Sequence, residues 1–278
     1  MVSSVLVVAG MKDRSLVLDF CQPFAGVGNG SGTGGAVARL FAKEGYTVAL
    51  VSRGAEALDA LAKSIRTSGG KAESFPVPAY GAEELTAAFA SIHARFPAPE
   101  YAITAAVFNT AHGAFKPFLD ITPEDVRESN KVNIESAFAF SRAAILAFQK
   151  NEVTPGTGKK GTLVFTGATA SIRGNVVTSA VAAGKFALRA LSQSLAKEFG
   201  KQDIHLDLGC PRIATGNTRG DRNTPPSGPV ENTTPNAKLS PESIAAISER
   251  PQSYLYLVKQ DQSAMTWELD LRPSHEKW

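Results

Sequence analysis

Gly28-Asn29-Gly30-Ser31-Gly32-Thr33-Gly34 runs into Ala36-Val37-Ala38-Arg39-Leu40-Phe41-Ala42, turns at Gly45, and continues as Thr47-Val48-Ala49-Leu50-Val51 before ending in Ser52-Arg53. The order is a glycine-rich loop, an amphipathic helix and a strand with a basic residue at its tip. Glycines let backbone N–H groups approach a pyrophosphate, and the helix that follows offers free N–H groups and a partial positive charge. A Gly/Ser linker would not launch an amphipathic helix from its last glycine, so the context carries more weight than the glycines alone.

Outward from this unit, strand-like and helix-like runs alternate. Strands are expected at Val5–Ala9, Thr47–Val51, Ala72–Val77, Tyr101–Phe108, Gly161–Thr166, His205–Leu208 and Trp267–Leu271. Helices are expected at Gly35–Lys43, Ala55–Ser68, Ala82–Phe96, Pro123–Gln149 and Ala180–Phe199. This alternation predicts an α/β fold, a Rossmann-like doubly wound parallel sheet with helices on both faces, as a single domain over residues 1–278. Ligands of such sheets bind beyond the carboxyl ends of the strands, where the glycine loop falls.

Two stretches interrupt the pattern. Met11–Gly26 separates strand Val5–Ala9 from the loop, and Ala9-Gly10 recurs as Ala25-Gly26. The segment reads as an insertion foreign to the fold, such as a retained short intron. The alternative makes Ser15–Phe20 or Phe24–Val27 the first strand. Gly216–Ser240, rich in Asn, Thr, Pro and Gly, is expected to form a lid over a substrate site, since long irregular stretches inside compact domains are often functional.

Bulk properties narrow the partners. The 29 basic and 26 acidic residues are well mixed and give a net charge of +3, which argues against nucleic acid and anionic membrane. No apolar run approaches the roughly 20 residues needed to span a bilayer. Cys21 and Cys210 form no metal or disulfide spacing, and neither do the four histidines, so the chain is expected to be reduced, cytoplasmic and metal-free.

The tip of the second strand bears on cofactor choice. A carboxylate there would bond a ribose 2′-OH, whereas an arginine accommodates a 2′-phosphate. Ser52-Arg53, with no carboxylate before Glu56, favours NADP(H).

With these features together, the chain resembles the short-chain dehydrogenase/reductases over nearly its whole length. Their glycine loop maps to Val27–Gly34 without its leading Thr, and their strand-four motif to Phe108-Asn109-Thr110-Ala111. Their active-site Asn maps to Asn133, and the Lys of their Tyr–Lys pair to Lys185. The turn after their sixth strand maps to Pro211-Arg212-Ile213-Ala214-Thr215. The resemblance implies cofactor contacts from Gly28, Ser31, Gly32, Gly34, Ser52, Arg53, Asn109, Lys185, Ile213 and Thr215. It also implies a homodimer or homotetramer paired through the two long helices, whose apolar residues occupy more than one face.

The chemistry departs from the family. Val181 stands where the catalytic Tyr is expected and Ala168 where the Ser is expected. Hydride delivery to a carbonyl leaves an oxyanion that needs a proton, and losing the acid typically costs roughly 10²–10⁴-fold. Asn133, Lys185 and Ser171 are the candidate catalytic residues, with Thr169 an alternative to Ser171 and His112 a candidate replacement acid. The expected activity is NADP(H)-dependent oxidoreduction of a small carbonyl, alcohol or activated alkene. The alternatives are a catalytically degenerate NADP(H)-binding protein and a non-redox dehydratase or isomerase on the same scaffold.

Overall fold

A computed structural model describes residues 2–10, 32–211 and 253–272. Met11–Gly26, the lid reading of Gly216–Ser240, and the contact residues Gly28, Ser31, Ile213 and Thr215 lie outside the described residues.

Seven parallel strands form one sheet: β1 (Ser3–Ala9), β2 (Thr47–Ser52), β3 (Lys71–Pro76), β4 (Tyr101–Phe108), β5 (Gly161–Thr166), β6 (Ile204–Pro211) and β7 (Glu268–Leu271). Their order is β3-β2-β1-β4-β5-β6-β7, so chain direction across the sheet reverses between β1 and β4. Between the strands lie the helices α1 (Thr33–Lys43), α2 (Ala55–Thr67), α3 (Ala82–Arg95), α4 (Pro123–Asn130), α5 (Ser136–Phe148), α6 (Ser179–Phe199) and α7 (Ser253–Lys259). β1 lies between β2 and β4, with Val5 opposite Thr47 on one side and Ile103 on the other. That place belongs to Ser3–Ala9 and not to either alternative first strand.

Alternate strand residues feed two cores, as the period of two requires. Val5 and Val7 pack with Phe89, Phe140 and Leu188 from α3, α5 and α6. Leu6 and Val8 face the other way, towards Phe41, Leu58 and Tyr254 from α1, α2 and α7. Residues Val5–Val8 are at most 1% exposed, which explains why the strand is an unbroken apolar run.

Two features differ from expectation. The helix expected over Pro123–Gln149 is interrupted by a wide π turn at Lys131–Glu135 between α4 and α5. The sequence pattern also does not announce α7. No helix among the described residues is long and apolar enough to cross a membrane.

Candidate active site

The reversal between β1 and β4 opens the carboxyl edge of the sheet. There Asn109 N donates to Ala9 O at 2.9 Å and Gly10 N donates to Val51 O at 3.2 Å. Gly10 adopts φ +112°, and a Cβ on it would lie 2.5 Å from the Asn109 carbonyl carbon. The position therefore requires glycine. Asn109 Nδ2 reaches back to Gly10 O at 3.4 Å. Gly32 is extended, and no side chain among the described residues caps α1, which begins at Thr33. Two buried hydroxyls at this edge, Thr33 Oγ1 and Thr110 Oγ1, have no hydrogen-bond partner among the described residues. Unpartnered buried hydroxyls are costly. Together with the helix start that lacks a side-chain cap and the close approach at Gly10, they fit a site that a dinucleotide completes.

The tip of β2 presents a prepared cation. The Arg53 guanidinium lies 5.2 Å from the centroid of the Tyr80 ring, and Tyr80 Oη donates to the buried Ser52 Oγ at 3.2 Å. Such stacking contributes roughly 0.5–1 kcal/mol at an exposed site and restricts where the fork points. Ser52 and Arg53 are thus brought together as expected, with Tyr80 as the unforeseen member. It follows β3 in an irregular turn, where no periodicity marks it.

Asn133 sits buried in the π turn, and its carboxamide is committed to structure. Its Oδ1 accepts from His112 N at 2.9 Å, while Nδ2 donates to His112 O at 2.8 Å and to Ser129 Oγ at 3.0 Å. Ser129 Oγ in turn donates to Ala180 O at 3.0 Å, tying the His112 loop to the start of α6. Asn133 therefore holds a loop. Burial pulls the His112 pKa below its usual 6.5, Glu128 and Asp125 oppose this, and Arg53 adds to it.

Gly184 packs against Asn133, since a Cβ on it would lie 2.7 Å from Asn133 Cβ. The next residue, Lys185, is 3% exposed and its Nζ donates to Thr166 O at 2.7 Å. Asn133 thus packs on Gly184, whose neighbour Lys185 reaches the end of β5. Ser171 is fully buried; its Oγ accepts from Ala168 N at 3.0 Å and its own N donates to Ala168 O at 2.8 Å. That hydroxyl closes a turn. Val181 and Ala168 are buried and apolar, so neither offers a proton. A phenol does reach this edge: Tyr254 Oη of α7 lies 2.8 Å from Thr166 Oγ1.

A family model described as short chain dehydrogenase matches residues 26–225. The chain is 25% identical over 195 residues to 2-(S)-hydroxypropyl-CoM dehydrogenase 3 of Xanthobacter autotrophicus, covering 70% of this chain and 72% of that protein. A crystal structure of a short-chain dehydrogenase from Rhodopseudomonas palustris superposes with a TM-score of 0.70 at 25% identity, covering 97% and 98% of the two chains. An alcohol dehydrogenase from the archaeon Thermococcus sibiricus, complexed with 5-hydroxy-NADP, gives 0.73 at 19% identity over 100% and 99%, a likeness of fold.

Proposed function

The chain belongs to the short chain dehydrogenase family, and from that premise we propose that it is an NADP(H)-dependent oxidoreductase acting on a small carbonyl, alcohol or activated alkene. The observation that carries this reading is the Arg53 guanidinium held over Tyr80 at the tip of β2. It stands on the same carboxyl edge as the α1 terminus and Lys185. A fork fixed in advance suits a 2′-phosphate, which it can bond through two parallel N–H groups.

Gly32 and Gly34 with Gly28 and Ser31 would cradle the pyrophosphate, and Ser52 and Arg53 the 2′-phosphate. Asn109 and Lys185 would hold ribose hydroxyls, with Ile213 and Thr215 completing the nicotinamide end. A bound reduced nicotinamide supplies a hydride. Asn133 keeps the His112 loop in place, and the Lys185 ammonium stabilises negative charge developing beside it. A hydroxyl-bearing substrate agrees with the named activity of the Xanthobacter relative.

The protein acts in the cytoplasm as a homodimer or homotetramer. Phe138 of α5 and Phe186 of α6, 56% and 43% exposed, supply an apolar face for pairing. One observation favours a second reading, nucleotide binding without turnover: buried Val181 and Ala168 leave the family's acid position apolar.

The test is titration of the purified protein with NADPH and NADH, followed by nucleotide fluorescence. Arg53→Ala is expected to weaken NADPH about 10–100-fold, the value of a charge-assisted hydrogen bond of roughly 1.5–3 kcal/mol, and to leave NADH unchanged. Absence of binding to either nucleotide overturns the proposal. Tight NADPH binding without turnover on small ketones, alcohols and enones selects the second reading.

A further inference from the structure

Reduction of a carbonyl leaves an oxygen that must take up a proton, and the side chain at position 181 has none to give. Two phenols lie at the carboxyl ends of the strands among the described residues. Tyr80 engages Ser52 beneath Arg53. Tyr254 instead meets Thr166, the last residue of β5, with hydroxyl oxygens 2.8 Å apart. The same Thr166 accepts the Lys185 ammonium on its main-chain oxygen at 2.7 Å. One residue therefore joins a phenol reaching from α7 on one face of the sheet to an ammonium reaching from α6 on the other. All three are at most 4% exposed, so charge on any of them acts on the others with little screening.

We propose that Thr166 and Tyr254 form a hydroxyl relay that supplies the proton at the Lys185 end of the cleft. The proposal rests on the oxidoreductase reading above, with a reduced nicotinamide as the hydride donor. As the new C–H bond forms on the substrate carbon, the substrate oxygen takes the Thr166 Oγ1 proton. Thr166 Oγ1 recovers one from Tyr254 Oη, and the electron pair of the broken O–H bond stays on the phenolate. The Lys185 ammonium stabilises that phenolate until water returns the proton. Alcohol oxidation runs the same transfers backwards. Thr166 thus carries a phenol on its hydroxyl and an ammonium on its main-chain oxygen, with neither at position 181 or 168.

A purely structural Tyr–Thr pair would pin α7 to β5 and do nothing more, so the test reads proton affinity and not only stability. Tyrosine labelled with 13C at Cζ gives five resonances in the full chain, and the one missing from Tyr254→Phe is assigned to Tyr254. In the relay, replacing the ammonium by Lys185→Met raises the Tyr254 titration midpoint by about one pH unit. An unchanged midpoint overturns the proposal, as does a Tyr254 that does not titrate before the wild type unfolds. With NADPH and a panel of small ketones and quinones, Tyr254→Phe and Thr166→Val each lower kcat by about 10²-fold or more. Thr166→Ser restores it to within a few-fold, and the NADPH Kd stays within about twofold throughout. Undiminished kcat in Tyr254→Phe refutes the relay. A wild type that binds no NADPH refutes the oxidoreductase reading instead, and the phenol titration still decides the relay, because it needs no nucleotide.

Discussion

Asp207 lies within β6, completely buried, and neither carboxyl oxygen has a hydrogen-bond partner among the described residues. Burial, with a smaller contribution from Glu268, pushes its pKa from 3.8 up to about 8. A carboxyl whose pKa is raised by folding stabilises the fold fully only below its unfolded value. The contribution is lost as pH climbs from about 4 and levels off beyond about 8. Three pH units lie between 3.8 and 7, and each corresponds to about 1.4 kcal/mol. The fold at pH 7 is therefore weakened by about 4 kcal/mol relative to acid conditions through this one side chain.

Asp207→Asn keeps the shape and the unpartnered polar character but cannot ionise. Urea denaturation of both proteins at pH 4, 5, 6, 7 and 8 is expected to give stability curves that converge at the acid end. They diverge with rising pH until the variant leads by about 4 kcal/mol at neutrality. His205, on the same strand, works in the opposite sense. Burial lowers its pKa from 6.5 to about 4, so its contribution is lost as pH falls through that window. Lys159, whose Nζ lies 3.5 Å from His205 Nδ1, has its pKa lowered by burial to about 8. Both are common to wild type and variant and cancel in the difference. Parallel curves from pH 5 to 8 would refute the reasoning, because they would mean that water or a rearranged partner solvates the carboxylate.

Two further substitutions test the site's framework. Gly184→Ala would ordinarily stabilise α6 by about 1 kcal/mol. Here the new Cβ meets Asn133 at 2.7 Å, and Asn133 cannot yield without losing three hydrogen bonds, so a net loss of about 1–3 kcal/mol is expected in thermal or chemical unfolding. Val177, just before α6, holds φ 57°, a left-handed conformation that penalises a β-branched residue. Val177→Gly should therefore raise stability by about 1 kcal/mol by urea denaturation, and a loss would show that the turn is unstrained.

Much of the architecture was legible because β1, β2, β4 and β5 are mostly apolar runs buried within the sheet, and they alternate with helical periods. What escaped reading depended on information that no local pattern carries. The π turn at Lys131–Glu135 leaves no mark on an apolar helix stripe that continues on either side. Ser253-Tyr254-Leu255-Tyr256-Leu257-Val258-Lys259 forms α7 although its aromatic and branched residues and its alternation suit a strand equally well. Its helical state is decided by where Tyr254, Leu255 and Leu257 find the second core.

The same division runs through the site. Lys185 and Asn133 could be found from spacing along the chain, because each belongs to a local helical context. Their work could not, because it is defined by partners brought near by the fold. Asn133 turns out to clasp the backbone of His112, 21 residues away, and the phenol that meets Thr166 comes from Tyr254, 88 residues beyond it. A motif read along the chain reports whether an acid stands four residues before Lys185. It cannot report whether the sheet edge has acquired one from the opposite face. Val181 and Ala168, at the positions that the resemblance gives to Tyr and Ser, therefore offer no acid of their own, and leave to the Tyr254–Thr166–Lys185 contacts the question of whether the sheet edge has another.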